Sequence, residues 1–399
     1  MSAVDVILRR AHGFLPVTHA TRSTLREPDP ALRDALTFRE TPSGAVVSVD
    51  SSFTHGDVYA CIRVLADAAS SVPLIVYRRT PAGRVRAGET LAARVIENPS
   101  PVTRQGVLMG TVMAHLQGWG NAFIAKYRGP GGAVEQLGVI QPHRVVVSVT
   151  AGEPLYTVRQ DDGTDLRLNR RDIIHVRGMS LDGVMGLSPI QQARGVIGLG
   201  ITLEDAAGRL LRNDARPGGV LKHPSRLTLD AAERLKAGWR AATSGDNRGS
   251  VAVLEEGMEY QQVGLSPADA QFIEQRRMSA TQIARVFRVP PHMIGAESGS
   301  TMTYSNVEQE ALQFVTFSLT PWLVAIEQAF GGDEDLFPAG GGLYPEFLLD
   351  ALLRADTKTR NEALSLATWW TTNEKRRLDN LPDMPGGDAI HEPASGGQQ

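Results

Sequence analysis

The clearest periodic pattern along the chain is HGDVYACIRVLADAASSV, at residues 55–72. Its apolar side chains recur at spacings of three and four, which predicts an α-helix with one buried stripe. That stripe comprises Val58, Cys61, Ile62, Leu65 and Ala69. The segment SVPLIVYRR then predicts a short strand, and VLMGTVMAHLQGWG predicts a second, almost wholly apolar helix. Residues 1–50 are polar and lack such a pattern, so we expect a poorly packed arm there.

Segments typical of strands follow the second helix. They read NAFIAKYR, AVEQLGVI, HRVVVSV, LYTVRQ and DIIHVRG. The glycine-rich turn at Gly129–Gly132 suits a hairpin between the first two of these strands. Helices followed by a run of strands predict an α+β domain over about residues 55–180.

A long helix is predicted over Ser188–Asn213. Ser188 can cap its first turn, and Pro189 suits the first helical position. Four glycines interrupt the helix, and each costs about 1 kcal/mol relative to alanine. They are Gly195, Gly198, Gly200 and Gly208. We expect close approach of a neighbouring element to compensate for this cost; the alternative is a locally weak core helix.

A compact αβ insertion comes next. It comprises a strand in GGVLKH, a helix in DAAERLKAGWRAAT and two strands in SVAVLEE and MEYQQVG. A second long helix, SPADAQFIEQRRMSATQIARVFRV, then runs to the double proline at Pro290 and Pro291, which ends it. Two long helices therefore flank a small module.

A polar loop, GAESGSTMTYSN, separates the double proline from the next helix. It lacks packing residues, and loops held on a scaffold often carry function. The following helix, SNVEQEALQFVTFSLTPWLVAIEQAF, contains Pro321, which has no N–H for the carbonyl of Phe317. This predicts a kink. Two short helices, DTKTRNEALSLATWW and NEKRRLDNL, and a polar tail expected to be disordered end the sequence.

Composition excludes several classes of protein. The 399 residues are 42% hydrophobic and 21% charged, which is ordinary for a globular protein. The length predicts two or three domains, or one domain with an elaborate extension. The net charge of −3 lacks the basic surplus of a protein that grips nucleic acid. A single cysteine, Cys61, forbids an intrachain disulfide and fits a reducing cytoplasm. No apolar run reaches the roughly 20 residues that a membrane span needs.

Signatures of catalysis are also missing from the sequence. It has no P-loop, and GVIGLG has the glycines of a dinucleotide fingerprint in reverse spacing and inside a helix. The nine histidines include no pair four residues apart, so a metal site has little support. His175 lies in a predicted strand, where a structural histidine is the favoured interpretation. We therefore predict no catalytic residue, cofactor or metal.

The order of these segments resembles the portal proteins of long-tailed bacteriophages and related prophages. The segments that carry the resemblance run from about residue 55 to 390, and they are YACIRVLADAASSVPLIVYRR, NPSPVTRQ, GWGNAFI, DIIHVRGMSLDGVMGLSPIQQAR, NDARPGGVLKHP, LEEGMEYQQVGLSPADAQFIEQRRMSATQIARVFRVPPHMIG, YSNVEQEALQFVTFSLTPWLVAIEQAF and NEKRRLDNLP. No single segment is specific, but their common order is.

The resemblance implies an α+β portal fold with an α/β wing, a two-helix stem, a small αβ clip, a kinked wing helix and a short helical crown. The implied divisions are an arm at 1–50, the wing at 51–185, the first stem helix at 186–216, the clip at 217–265, the second stem helix at 266–291, the tunnel loop at 292–304, the kinked helix and the following segment at 305–350, the crown at 351–385 and a tail at 386–399.

The resemblance further implies a ring, usually of twelve identical subunits, at one vertex of the capsid of a virion assembled in the bacterial cytoplasm. Double-stranded DNA passes through its channel without sequence specificity. A separate terminase, whose large subunit docks on the ring, supplies ATP hydrolysis; head–tail connector proteins dock afterwards, and the major capsid protein surrounds the ring. A near-neutral channel protein suits a conduit, because a basic one would hold phosphates through counterion release.

Three groups of candidate residues follow from this resemblance. The channel-lining tunnel loop comprises Glu297, Ser298, Gly299, Ser300, Thr301, Met302, Thr303 and Tyr304. The inter-subunit stem contact comprises Gly195, Gly198 and Gly200, and the clip offers Arg234 and Lys236 to docking partners. Two alternatives remain at this point: another head–tail adaptor or structural ring, and an enzyme with an unrecognised site.

Overall fold

The computed structural model describes residues 41–212 apart from Ala82 and Ala151, and then 219–222, 228, 230–231, 233–235, 237, 259–262, 267–296, 304–349, 365–367, 369–378 and 382–389. The helices are α1 Val49–Phe53, α2 Gly56–Ser71, α3 Leu91–Glu97, α4 Gln105–Trp119, α5 Pro189–Gln192, α6 Arg194–Arg212, α7 Pro267–Phe287, α8 Tyr304–Gln313, α9 Thr320–Gly331 and α10 Thr372–Leu378. No described helix combines the length and apolar character that crossing a membrane requires.

The strands are β1 Leu74–Thr80, β2 Gly83–Arg86, β3 Asn121–Arg128, β4 Val134–Ile140, β5 Val145–Thr150, β6 Glu153–Arg159, β7 Asp165–Asn169, β8 Ile173–Arg177, β9 Gly219–Lys222, β10 Glu259–Gln262 and β11 Leu343–Phe347. Among the described residues they form three-stranded sheets in the orders β4-β3-β8, β5-β6-β7 and β11-β1-β2, and β9 pairs with β10. All of these pairings are antiparallel.

The first helix pattern is confirmed: all five residues of the predicted stripe are buried on α2. The predicted end of the arm at residue 50 is wrong, because the packed body already includes the segment before it. Thr41 and Val47 are each 5% exposed. Ser48 caps α1 through a reciprocal pair of hydrogen bonds with Ser51.

Strand β3 separates two apolar cores, because successive side chains of a strand point to opposite faces. Ala122 and Ile124 belong to the large core, which also holds α2, α4 and α9. Phe123, Ala125 and Tyr127 belong to a smaller core between β3 and the sheet β5-β6-β7. The predicted turn at Gly129–Gly132 joins β3 to β4. The α+β class is therefore confirmed in its coarse form.

The prediction of one helix over Ser188–Asn213 is wrong at one residue. Ser188 caps α5 by accepting from the backbone N–H of Gln191, as expected, but Ala193 leaves helical geometry with φ −93° and ψ 5°. Helix α6 starts at Arg194. The chain therefore has a short first helix followed by a 19-residue one.

The second long helix begins at Pro267, as its Ser-Pro sequence predicts, but it ends at Phe287, earlier than the double proline. Arg288 adopts a left-handed conformation with φ 57°. The N–H of Val289 then bonds to the carbonyl of Ala284 at 2.9 Å, which closes the helix end. The left-handed residue stops the helix before the prolines are reached.

The irregularity near Pro321 takes the form of a π-helical segment. Phe314–Leu319 is π-helical and lies between α8 and α9, with Pro321 in the first turn of α9. The side chain of Thr320 also donates to the carbonyl of Val315 at 2.7 Å. The wider π-helical turns occur where Pro321 removes a backbone donor.

Candidate functional site

The loop singled out in the sequence leaves the body through a short turn. Pro291–Ile294 form a 3₁₀ helix, which ends at Gly295 with φ 74°. Residues Glu297 to Thr303, the greater part of the predicted tunnel loop, lie outside the described residues. Tyr304, expected as the last loop residue, is instead the first residue of α8. The next helix therefore begins one residue earlier than predicted.

Both ends of this loop are fixed to each other by polar contacts. The hydroxyl of Ser318 donates to the carbonyl oxygen of Arg288 at 2.5 Å. The guanidinium of Arg288 donates to the carbonyl oxygen of Phe317 at 3.4 Å. Nearer the loop, Nδ1 of His292 lies 2.8 Å from a carboxylate oxygen of Glu310. These contacts join the end of α7 to α8 and the π segment, so the loop starts and ends on segments that contact each other.

The glycines of α6 differ in their surroundings. A β-carbon on Gly198 would lie 2.8 Å from Cγ2 of Thr41, and one on Gly200 would lie 2.6 Å from Nε2 of His55. Gly195 is exposed, and a β-carbon there would meet nothing within 4 Å. Neighbours within the chain thus account for the missing side chains at Gly198 and Gly200. A contact between subunits stays a prediction, and Gly195 has the open surface for it.

Part of the predicted clip is described. Strands β9 and β10 lie in two of the segments predicted as strands, and they pair with Leu221 opposite Tyr260. Arg234 is exposed and helical, and its Nε donates to the carbonyl of Asp230 at 3.3 Å. Lys236 and the predicted strand SVAVLEE lie outside the described residues. Arg234 is therefore placed where a partner can reach it.

A buried ionic cluster, which sequence reasoning missed, fixes β3 to the segment after α9. Nζ of Lys126 lies 2.5 Å from Asp333 and 2.6 Å from Asp335, and the side chains of Lys126 and Asp333 are 1% and 5% exposed. Arg128 lies 2.7 Å from Asp335. Hydrogen bonding from Arg128 is the main cause that lowers the pKa of Asp335 to about 2. The sequence signal that could have indicated this cluster was a lysine within an otherwise buried strand.

A second polar network surrounds Asn121. Its side-chain amide donates to the carbonyl of Gly186 at 2.8 Å, and its Oδ1 accepts from the N–H of Gly186 at 2.8 Å and from Nε2 of His175 at 3.0 Å. The hydroxyl of Tyr156 lies 3.4 Å from the other ring nitrogen of His175. Burial, helped by Arg177, lowers the pKa of His175 to about 3. This supports the structural interpretation of His175.

Close backbone contact accompanies this network. A β-carbon on Gly186 would lie 2.0 Å from the carbonyl oxygen of Gly120, whose own φ is 73°. The N–H of Gly178 bonds to that same oxygen at 2.9 Å. Only glycine fits such positions. The segments GWGN and MSLDGVMG are thus held together and support the N-terminal end of α5.

The described residues contain no group of three or more histidine, cysteine, aspartate or glutamate side chains that could hold a metal ion. Cys61 is fully buried in the large core, and burial raises the pKa of its thiol to about 12. Such a thiol stays protonated and unreactive at neutral pH.

Known proteins share both the sequence pattern and the fold. A family model described as phage portal protein matches residues 56–380. The chain is 32% identical over 365 residues to the probable portal protein of Streptomyces phage phiC31, covering 86% of this chain and 78% of that protein. It is 27% identical over 340 residues to the portal protein of Enterobacteria phage HK97, covering 83% and 80% respectively.

A solved structure gives an independent view of the fold. It is a chain from the neck of an empty gene transfer agent (GTA) particle, computed with C6 symmetry. The two chains match with a TM-score of 0.65 and 23% sequence identity, and the match covers 84% of this chain and 94% of that one. The family prediction is confirmed by the family model and by the relative from phiC31, since each spans most of the sequence. This chain is a portal protein and belongs to the phage portal protein family.

Proposed function

We propose that this chain assembles into a homo-oligomeric ring of twelve subunits at one vertex of a virion capsid, and that double-stranded DNA enters and leaves through its axis. The observation that carries the proposal is the match to the portal family over residues 56–380. A solved chain of similar fold, from the neck of a native GTA particle computed with C12 symmetry, supports the number twelve. Exposed apolar side chains such as Met179, Leu181 and Phe317, each at least 66% exposed, are available for subunit contacts.

The channel lining is assigned to the loop between α7 and α8, namely Glu297, Ser298, Gly299, Ser300, Thr301, Met302 and Thr303, with Tyr304 at its end. Hydroxyl groups can exchange hydrogen bonds with passing phosphates without the long-range attraction of a lysine. The contacts of Arg288, Ser318, His292 and Glu310 support this assignment. They give the loop a fixed base from which it can project.

The clip is assigned to partner docking. Terminase, through its large subunit, binds there during packaging, and head–tail connector proteins bind afterwards; the major capsid protein contacts the ring from outside. Arg234→Glu and Lys236→Glu should weaken capture of terminase and connector while rings still form. Arg63→Glu, on exposed α2 surface, is the matched control. Unchanged capture of both partners by the clip variants would remove these two residues from the interface.

Ring formation itself is tested by native mass spectrometry and electron microscopy of the purified protein. Twelve chains of 43.1 kDa give a particle of about 0.5 MDa. We propose no enzymatic activity, because the family is structural and packaging draws its energy from the terminase. A single 43.1 kDa species at all concentrations, or an open filament, would contradict the ring. Closed rings that fail to support packaging would favour the alternative of another head–tail adaptor.

A further inference from the structure

A pair of buried polar side chains lies where the body meets both long helices. His55 precedes α2 and is 2% exposed, and Ser279 lies on α7 and is 4% exposed. Neither ring nitrogen of His55 nor the hydroxyl of Ser279 has a hydrogen-bond partner. Glu204 of α6 is the nearby charged group, with a carboxylate oxygen 3.8 Å from Nε2 of His55. Three separate elements thus contribute to one polar site.

Gly200 brings these two groups together. A β-carbon on Gly200 would lie 2.6 Å from Nε2 of His55 and 3.2 Å from the hydroxyl oxygen of Ser279. Since both atoms are close to one point, the nitrogen and the oxygen are at most about 6 Å apart. Two consecutive hydrogen bonds of ordinary length span such a gap. The 3.8 Å to Glu204 is too long for a direct bond but leaves its carboxylate beside the same space.

We propose that His55, Ser279 and Glu204 bind one internal water molecule, which joins the body of the subunit to α6 and α7. A neutral imidazole presents one donor and one acceptor, and a hydroxyl presents both. Buried polar groups in native proteins nearly always have partners, because leaving them unpaired is costly. Water makes about three hydrogen bonds at buried polar sites. The ligand must donate and accept at short range, which water does in the least space.

A neighbouring subunit cannot supply the missing partner, because both side chains are already buried within a single chain. The inference therefore stands apart from ring formation. A direct bond between His55 and Ser279, made by rotation of the hydroxyl, is the competing arrangement. The two arrangements predict different densities between the same atoms.

The test combines a structure with a double-mutant cycle on the full-length protein. In a reconstruction that resolves ordered water, we expect a density peak within about 2.7–3.2 Å of both Nε2 of His55 and the hydroxyl of Ser279. Ser279→Ala should abolish or weaken that peak. In thermal unfolding, Ser279→Ala should lower Tm by about 2–4 °C in the natural background.

In a His55→Phe background the same Ser279→Ala change should leave Tm unchanged or raise it, since the water has already lost its imidazole partner. Thr281→Ala is the matched control, because its hydroxyl bonds within α7 to the carbonyl of Arg277 at 3.2 Å. Its effect should be equal in both backgrounds. Additive effects of His55→Phe and Ser279→Ala would overturn the proposal. So would a direct bond with no peak, and that structural result decides the matter even if His55→Phe does not fold.

Discussion

The guanidinium of Arg288 donates a hydrogen bond to the carbonyl oxygen of Phe317, 3.4 Å away. In a regular helix this carbonyl would accept from the backbone N–H four residues later, but that residue is Pro321. The π-helical segment Phe314–Leu319 ends just before it. A side chain from the end of α7 thus contacts a carbonyl to which Pro321 cannot donate, and this contact joins the kinked helix to the base of the loop.

The conformation of Arg288 gives the first prediction. Its φ of 57° is unfavourable for a residue with a side chain, by about 1–2 kcal/mol. Arg288→Ala and Arg288→Gly both delete the guanidinium, but only glycine relieves the backbone. In denaturant titrations, we expect the free energy of unfolding of Arg288→Gly to exceed that of Arg288→Ala by about 1 kcal/mol. Equal stability of the two variants would show that the left-handed backbone stores no strain.

The buried cation gives a second prediction. Lys126→Met would leave Asp333, 5% exposed, without its partner at 2.5 Å. Breaking a buried pair from one side costs about 3–5 kcal/mol. Arg78→Ala is the control, since Arg78 and Glu89 are both exposed and such pairs contribute about 0–1 kcal/mol. Chemical denaturation measures both, and a loss below about 1 kcal/mol for Lys126→Met would contradict the assigned role.

Sequence patterns predicted the elements whose signals are local. The stripe on α2, the Ser188 cap of α5 and the hairpin between β3 and β4 each depend on residues close in the chain. Strand β11 was missed because its partner β1 lies far earlier in the chain, with Leu74 opposite Phe347. Strand β2 was missed because all four of its residues are exposed, so no alternation marks it. Pairing over such distances is not encoded in a local period.

Fewer contacts of the candidate site could be predicted from the sequence. Pro321 predicted an irregular helix, but nothing local indicated that Arg288 would contact the carbonyl of Phe317. The glycines of α6 were correctly expected to allow close approach at Gly198 and Gly200. Their neighbours, Thr41 and His55, could not be identified, because Thr41 falls in a segment that lacks any apolar period. Both the contact of Arg288 and the neighbours of these glycines depend on tertiary contacts, which no local sequence pattern indicates.

Two histidines give a third prediction, for stability against pH. Burial holds the pKa of His175 at about 3 and that of His115 at about 4, whereas both would titrate near 6.5 when unfolded. The unfolded chain therefore binds more protons below about pH 6.5. Stability is fully present above that pH and falls as the pH is lowered toward the folded pKa values.

Thermal unfolding between about pH 7.5 and 5 should show this decrease, and its slope should be smaller for His175→Gln. His391→Gln, which changes a histidine of the polar C-terminal sequence, should leave the slope as it is. A slope in His175→Gln that equals that of the natural protein would show that His175 takes up its proton without unfolding.

A fourth prediction separates contacts within the chain from contacts between subunits. Gly198→Leu should destabilise each subunit by about 1–3 kcal/mol, because its side chain would collide with Thr41. Gly195→Leu faces open space in the single chain and gains helix propensity, so the subunit should be at least as stable. If Gly195 packs against a neighbouring subunit, this variant should nevertheless form fewer rings by native mass spectrometry. Normal rings from Gly195→Leu would place this face outside the contact.

The final prediction concerns the loop between α7 and α8. Replacement of Ser298 to Thr303 by a shorter glycine linker leaves Arg288, His292, Glu310 and Ser318 in place, so the base of the loop keeps its contacts. Rings and capsids should then form in normal amounts. If the loop lines the channel, as we propose, DNA packaging or retention should fall sharply, because the shortened linker lacks the proposed channel-lining side chains. Capsid yield and packaged DNA are measured separately in the same lysates.

A glycine linker of the natural length is the control for chain closure. If the loop side chains matter, this linker should show the same packaging defect. If only the length of the loop matters, it should restore packaging. Full packaging with normal retention in the shortened variant would place the loop outside the functional channel.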